Sequence, residues 1–217
     1  MSVQYGQKNT GPGRPRIDRD ARRDAILDVA EEVFVEQGFA AASMSEIAAR
    51  LGGSKGTLYN YFKSKDELFE AYVQRRCVLN LERIYDMPAG GERMEDALAR
   101  VGRAYLQRVL SEENLSHFRL IVAESERSPE IGRMFYEAGP GRGARRLSEW
   151  MARWTKEGRI EAEDPQLAAH QFTGLVQNHY FKLRLCNAIP ELTDEQVEAE
   201  VAAAIRTFKR AYAPTKA

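Results

Sequence analysis

The sequence predicts an all-α fold, a small N-terminal helical unit followed by a larger helical region, and three observations carry that prediction. Apolar residues recur at three- and four-residue steps along almost the whole chain, the period that gathers them on one helix face. Capping residues and Gly or Pro stops cut this pattern into helix-length pieces. No alternating apolar and polar run, the mark of a half-buried strand, occurs, and there is no internal repeat.

The elements follow in order. Residues 1–17 read as a flexible basic arm, because Gly6, Gly11, Pro12, Gly13 and Pro15 oppose regular structure and Lys8, Arg14 and Arg16 are its charges. A first helix then buries Ile26, Val29, Ala30, Val33 and Phe34 as one stripe and stops at Gly38. Ser43-Met44-Ser45-Glu46 has the form of a capping box, with Ser43 at the cap and Glu46 three residues on. The short helix it opens turns Ile47, Ala48 and Leu51 inward and ends at Gly52-Gly53. A second cap, Ser54, opens the stretch from Lys55 to Phe62. Two short helices joined by a glycine-containing turn form a helix-turn-helix unit.

A longer helix is expected over 65–85, with Leu68, Tyr72, Val73, Cys77 and Leu81 inward and Pro88, Gly90 and Gly91 ending it. Further helices are expected over 92–111, 114–127, 129–138 and 142–157, the last after a break at Gly139-Pro140-Gly141. Asp164-Pro165, a cap with proline at the first helical position, opens a helix that runs to Leu185. Thr193 opens a final one. The division expected is an arm at 1–17, a helix-turn-helix domain at 18–65 and a larger helical domain at 66–217.

Composition excludes several classes. The 32 Lys and Arg residues balance 32 Asp and Glu, so any affinity for a polyanion must come from local asymmetry. There is no apolar run long enough for a membrane span, and the polar start of the chain is no secretory signal. Cys77 and Cys186 make no disulfide framework, so a cytoplasmic protein is expected. Cys77 shares an apolar stripe with Val73 and Leu81 and is expected in the core. His170 and His179 are nine residues apart and face opposite ways on one helix, with His117 on another. No metal site and no cofactor are therefore expected. The segment Gly139-Pro140-Gly141-Arg142-Gly143 follows a helix rather than a strand, which makes it a hinge or turn and not a phosphate loop. No spacing of Ser, His, Asp or Cys suggests catalysis.

The residues of the helix-turn-helix point instead to DNA. A recognition helix needs a first turn free of bulky apolar side chains if it is to enter the major groove end-on. Lys55-Gly56-Thr57 is such a turn, while Leu58 and Phe62, four apart, anchor the helix behind it. Tyr59, Asn60 and Tyr61 fall on other faces, suited to phosphates or bases, and the capped starts at Ser43 and Ser54 offer backbone amides to phosphate. Between Ser45 and Lys65 the cations Arg50, Lys55, Lys63 and Lys65 face one anion, Glu46.

The string from Arg22-Arg23 through Ala30-Glu31-Glu32-Val33-Phe34, Gly38-Phe39 and Ile47-Ala48 to Ser54-Lys55-Gly56-Thr57-Leu58-Tyr59-Asn60-Tyr61-Phe62 and Lys65-Asp66-Glu67-Leu68 closely resembles the N-terminal domain of the TetR family. The resemblance implies base-facing positions at Lys55, Gly56, Thr57 and Asn60, and phosphate contacts from Tyr59, Tyr61 and Lys65. It places Ser43 at the cap of the motif's first helix, with Ser45 beside it in the DNA-binding set. Two positions depart from the family's pattern: Gly53 stands where a β-branched or similar apolar residue is usual, implying a looser turn, and Ala42 replaces a frequent threonine. Arg14 and Arg16, in Gly13-Arg14-Pro15-Arg16, resemble arms that reach a narrow A·T minor groove, with a solubilising tail as the alternative.

The larger region resembles, more weakly, the C-terminal domain of AefR-like members from Phe118 to Asn187. That implies a small-molecule pocket between helices and a dimer interface on the last two long helices. Phe118, Trp150, Trp154, Phe172 and Leu175 are candidate pocket walls, with Glu124, Gln171 and Asn178 as candidate polar contacts; plain core is the competing reading of the aromatics. Val197, Val201, Ile205 and Phe208 form a stripe on the terminal helix that is expected at a homodimer interface, with packing on its own domain as the alternative. The expected function is a homodimeric repressor of palindromic operator DNA, released by a small-molecule effector. A nucleoid-type binder without an effector and a helical enzyme with a borrowed DNA-binding domain are the other classes.

Overall fold

A computed structural model describes residues 16–85 and 92–214. Among these residues the chain forms ten helices and no strand: α1 (Arg16–Ala41), α2 (Met44–Arg50), α3 (Lys55–Tyr59), α4 (Lys65–Ile84), α5 (Met94–Val109), α6 (Glu112–Ser125), α7 (Pro129–Ala138), α8 (Pro140–Lys156), α9 (Pro165–Leu185) and α10 (Asp194–Ala211). The arm through Pro15, with Arg14, and the stops Pro88, Gly90 and Gly91 lie outside the described residues. No described helix is long and apolar enough to cross a membrane.

Local chemistry explains where the helices begin. Ser43, Ser54, Ser64, Ser111, Asp164 and Thr193 each accept a hydrogen bond from a first-turn backbone amide. Thr193 and Gln196 complete a reciprocal capping box. Gly38 (φ 79°) kinks α1 at the expected stop, and one further turn continues to Ala41. Gly52 (φ 68°) makes the turn between α2 and α3.

The expected hinge at 139–143 is a helix start instead. Gly139 alone breaks the chain, and Pro140 begins α8 two residues before position 142, as its missing N–H permits at a first helical position. The glycines that follow are packing devices. A Cβ at Gly143 would lie 2.7 Å from the Tyr85 ring, and one at Gly141 would lie 2.9 Å from the Tyr136 carbonyl oxygen.

Two apolar cores result, and α4 feeds both. Its first half, Leu68 to Cys77, packs with α1–α3, where Phe34, Phe39, Phe69 and Tyr72 meet at ring separations from 4.8 to 5.9 Å. Ile121 of α6 and Ile131 of α7 close this core from the other side. The second half, with Leu81 and Ile84 and the capping residue Tyr85 after it, joins the core of α5 and α8–α10. Burial pushes the Cys77 thiol up to about 12, as befits a core cysteine.

The terminal helix corrects one expectation. Val197, Val201 and Phe208 are 3%, 1% and 0% exposed within a single chain, and Ile205 packs partly buried on the same core. A Cβ at Gly102 of α5 would sit 3.0 Å from Val201, so the two helices are in close contact. The stripe is consumed by its own domain and offers no dimer face.

Candidate nucleic-acid interface and cavity

The helix-turn-helix presents a polar tip held from behind. Ser54 Oγ accepts from the Thr57 amide at 3.2 Å and lies 3.1 Å from the Thr57 hydroxyl, while Leu58 and Phe62 are buried. Lys55, Gly56, Tyr59 and Asn60 are exposed, Thr57 and Tyr61 half-buried, and Ser43 and Ser45 exposed on α2. Ser43 caps Glu46, but the reciprocal half of the capping box is not made. The Glu46 carboxylate accepts instead from Gln37 at 2.6 Å and from Arg50 at 3.0 Å.

Two of the expected cations are spent inside the chain. Arg50 pairs with Glu36 at 2.8 Å as well as Glu46. Lys65 is not free for a phosphate: its ammonium donates to the carbonyls of Phe39, Ala42 and Ala40 at 2.6, 2.9 and 3.3 Å and sits over the Phe39 ring. An ammonium has three N–H donors, and all three are used to cap the end of α1.

The first turns of α1 supply what is lost. Arg16 is the first residue of α1. Arg19 lies over the Tyr61 ring at 6.0 Å and Arg23 over the Phe62 ring at 5.2 Å. Arg22 reaches the inter-helix turn, where a Cβ on Gly53 would approach its guanidinium to 3.2 Å. The glycine that looks like a looser turn thus makes room for an arginine. Arg19, Arg22, Arg23, Lys55 and Lys63 have no carboxylate partner among the described residues. Spacings of three and four put Arg19, Arg22 and Arg23 on one face, a signal that counting cations only from residue 45 onward misses.

A cavity of about 590 Å³ lies among α4–α9. Leu81, Ile84, Phe118, Phe135 and Phe181 give it apolar walls, and the half-exposed Val122 and Tyr136 stand at its edge. Its polar lining includes Arg76, Asn80, Asn114 and His117 on facing turns of α4 and α6, and the Tyr105 hydroxyl donating to Gln177 at 2.6 Å. Of the expected pocket residues only Phe118 lines it. Trp150, Trp154, Phe172 and Leu175 belong to the neighbouring core, where Trp154 packs edge-on against Trp150 and Phe172 against Phe208. Glu124 is buried on α6 outside the lining, Gln171 accepts from the Tyr212 hydroxyl at the surface, and Asn178 is exposed.

A charged cluster joins this cavity to α1. Glu31 of α1 meets Arg75 at 3.2 Å, Arg76 at 3.2 Å and His117 Nε2 at 3.2 Å, and Arg76 reaches on to Glu113 at 2.7 Å. A carboxylate only accepts, so His117 donates to Glu31 from Nε2, while Nδ1 shares a hydrogen bond with the Tyr72 hydroxyl. Burial pushes the Tyr72 phenol up, which keeps its proton in place. Burial also works to raise Glu31, but the hydrogen bond from His117 and the charges of Arg76 and Arg75 outweigh it and hold the carboxyl below its ordinary value. The Glu113 carboxyl is lowered in the same way, its burial outweighed chiefly by Arg76. Glu31, Glu113 and His117 bring ligand atoms within 4.8 Å of one another, but the Arg76 guanidinium already bridges the two carboxylates as their cation.

Family comparison agrees with this geometry. Residues 26–72 match the description of bacterial regulatory proteins of the tetR family, and residues 96–214 match the C-terminal domain of AefR-like transcriptional repressors. The chain belongs to the TetR family. It is a transcriptional regulator with that family's DNA-binding helix-turn-helix followed by a larger helical domain.

Among solved structures, this TetR-family regulator is similar to the flavonoid-responsive regulator FrrA, with 34% identity, a TM-score of 0.79 and coverage of 91% of this chain and 100% of that one. It is also similar to a TetR-family transcriptional regulator from Mesorhizobium loti, with 27% identity, a TM-score of 0.82 and coverage of 92% and 99%. Matches to curated relatives are more partial. The transcriptional activator FasR of Mycolicibacterium smegmatis is 48% identical over 73 residues, 32% of this chain and 33% of that protein. The regulator UidR of Escherichia coli is 34% identical over 116 residues, 52% and 56%. The matched stretch therefore spans between a third and somewhat over half the length of these two relatives.

Proposed function

We propose that this TetR-family regulator works in the cytoplasm as a homodimeric repressor that binds a palindromic operator and is released by a small molecule held in the cavity. The observation that carries the DNA half is the tip of α3. An exposed Lys55-Gly56 turn with Asn60 nearby is flanked by Arg19, Arg22 and Arg23, cations without carboxylate partners among the described residues. Lys55, Gly56, Thr57 and Asn60 are assigned to base edges. Tyr59, Tyr61 and the α1 arginines are assigned to phosphates, with Arg14 and Arg16 reaching the adjacent minor groove. The resemblance to AefR-like repressors supports repression.

Two copies are needed to read a palindrome. With the α10 stripe consumed, the dimer face is assigned to the outer side of α8 and α9. On α9 Leu167 is exposed, and Gly174, seven residues on and so on the same face, has open space where a Cβ would point, which favours close helix approach. The effector half rests on the apolar cavity, whose size suits a molecule of drug-like dimensions. The likeness to FrrA, a regulator named as flavonoid-responsive, favours a ring-bearing effector.

Selection of bound DNA from a random pool tests this reading. An enriched near-palindrome with half-sites about one helical turn apart is expected. Binding that shows no sequence enrichment and depends only on salt would favour a nucleoid-type binder instead.

A further inference from the structure

We propose that the cavity selects a neutral or anionic molecule with an apolar, ring-bearing body and a hydrogen-bond-accepting head, and that this head takes Arg76 and His117 from Glu31 of α1. The inference rests on the reading that the cavity holds an effector and specifies the effector's chemistry and its route to the DNA-binding domain.

The charge of the lining sets the first limit. No Asp or Glu among the described residues lines the cavity, and Arg76 is its one formally charged group. A cationic ligand would enter a partly buried, apolar space whose lining offers it no carboxylate, Glu31 and Glu113 being already engaged by Arg76, which is disfavoured. An anion or a neutral acceptor meets donors instead.

Arg76 is the donor with capacity to spare. It is 7% exposed, and only one terminal nitrogen is engaged, by Glu31 and Glu113; Nε and Nη2 are buried without a partner. Guanidinium offers five N–H donors, so three of them are unmet here. The neighbouring amides have less to offer, with one N–H of each already committed. Asn80 Nδ2 donates to Asn114 at 2.6 Å, Asn80 Oδ1 accepts from Arg108 at 2.6 Å, and Asn114 Nδ2 donates to the Val109 carbonyl at 3.2 Å. The body's environment is aromatic, with Phe118 packed edge-on against Phe135 and Phe181 at 5.7 and 5.5 Å.

The same two donors are the cavity's link to DNA. Arg76 and His117 both hold Glu31, which lies on the helix whose first turns carry Arg19, Arg22 and Arg23. A head that accepts from them weakens the grip on α1, so head binding and operator binding oppose each other. Such opposition is reciprocal, because each ligand changes the other's affinity by one shared factor.

The test uses three probes with a common naphthalene body: 2-naphthaleneacetate, 2-naphthaleneethanol and 2-naphthaleneethylammonium. Their affinities are measured by calorimetry on the full chain, wild type, Arg76→Gln and Glu31→Gln, with operator affinity measured with and without each probe. The acetate is expected to bind at least about tenfold tighter than the ammonium, with the alcohol between them. Arg76→Gln is expected to erase the preference. Glu31→Gln is expected to bind the acetate several-fold tighter, while the acetate no longer changes its operator affinity. Ammonium binding as tight as acetate in the wild type overturns the charge selection, and undiminished operator release in Glu31→Gln overturns the route through α1. If Arg76→Gln does not fold, the wild-type comparison and Glu31→Gln still decide. Failure of all three probes to bind removes the effector-cavity reading itself and this inference with it.

Discussion

Lys65 shows how a single long side chain can be misread from its neighbours in sequence. It sits among the cations of a DNA-binding motif, yet its ammonium closes the end of α1 through three carbonyl oxygens. Removing it leaves those acceptors without their donor, at a cost of about 1–3 kcal/mol. Lys65→Met is therefore expected to lower stability in urea unfolding by that amount; a variant that loses DNA affinity at unchanged stability would return Lys65 to the phosphate-contact role. Short polar side chains were more legible. Ser43, Ser54, Asp164 and Thr193 cap the helices that follow them because a short side chain can reach only its own first turn. Arg50, Arg76 and Lys65 take partners from other helices, which local pattern does not reveal.

The Glu31 cluster sets the response to acid. Glu31 and Glu113 both have folded-state values below the ordinary carboxylate value of 4.5. Their contribution to stability is present in full above that value and is lost as pH falls through the lowered folded values. Unfolding free energy measured from neutral pH down to about pH 3 should drop more in the wild type than in Glu31→Gln. Parallel curves for the two proteins would show that Glu31 takes no part.

At the scale of elements, α10 and α8 mark where periodicity stops being informative. The spacing of Val197, Val201, Ile205 and Phe208 identifies one buried face but not what buries it, since a partner subunit and the chain's own α5 and α9 demand the same period. Phe208 is fully buried against Phe172 and Tyr212. Phe208→Ala is expected to cost about 3–5 kcal/mol in unfolding. A loss confined to dilute protein and reversed by raising its concentration would restore the dimer assignment. The glycines at the start of α8 carry a similar lesson. A cluster of Gly and Pro reads as a turn, but Gly143 is glycine because the Tyr85 ring occupies its Cβ position.

For the whole molecule, the all-helical fold and the two-part order were legible because caps, stops and period agree at nearly every boundary. The cavity was not. Its wall is assembled from single turns of α4–α9, and pattern alone cannot separate an inward side chain that fills the core from one that borders a void. Trp150, Trp154 and Phe172 fill it, whereas Ile84, Phe118 and Phe181 border it. The helix α4 belongs to both cores, so a movement at the cavity and one at the DNA-facing tip share a spine.

Reading of base sequence is assigned to the α3 tip. It is tested most directly by the affinity of wild type, Lys55→Ala and Asn60→Ala for the selected duplex and for a version with scrambled half-sites, at one fixed salt concentration. Both side chains are exposed, so the variants should remain folded. Each variant is expected to lose about 1–3 kcal/mol on the selected duplex, with Asn60→Ala nearly unchanged on the scrambled one. Wild-type affinity of both variants for the selected duplex would contradict that assignment.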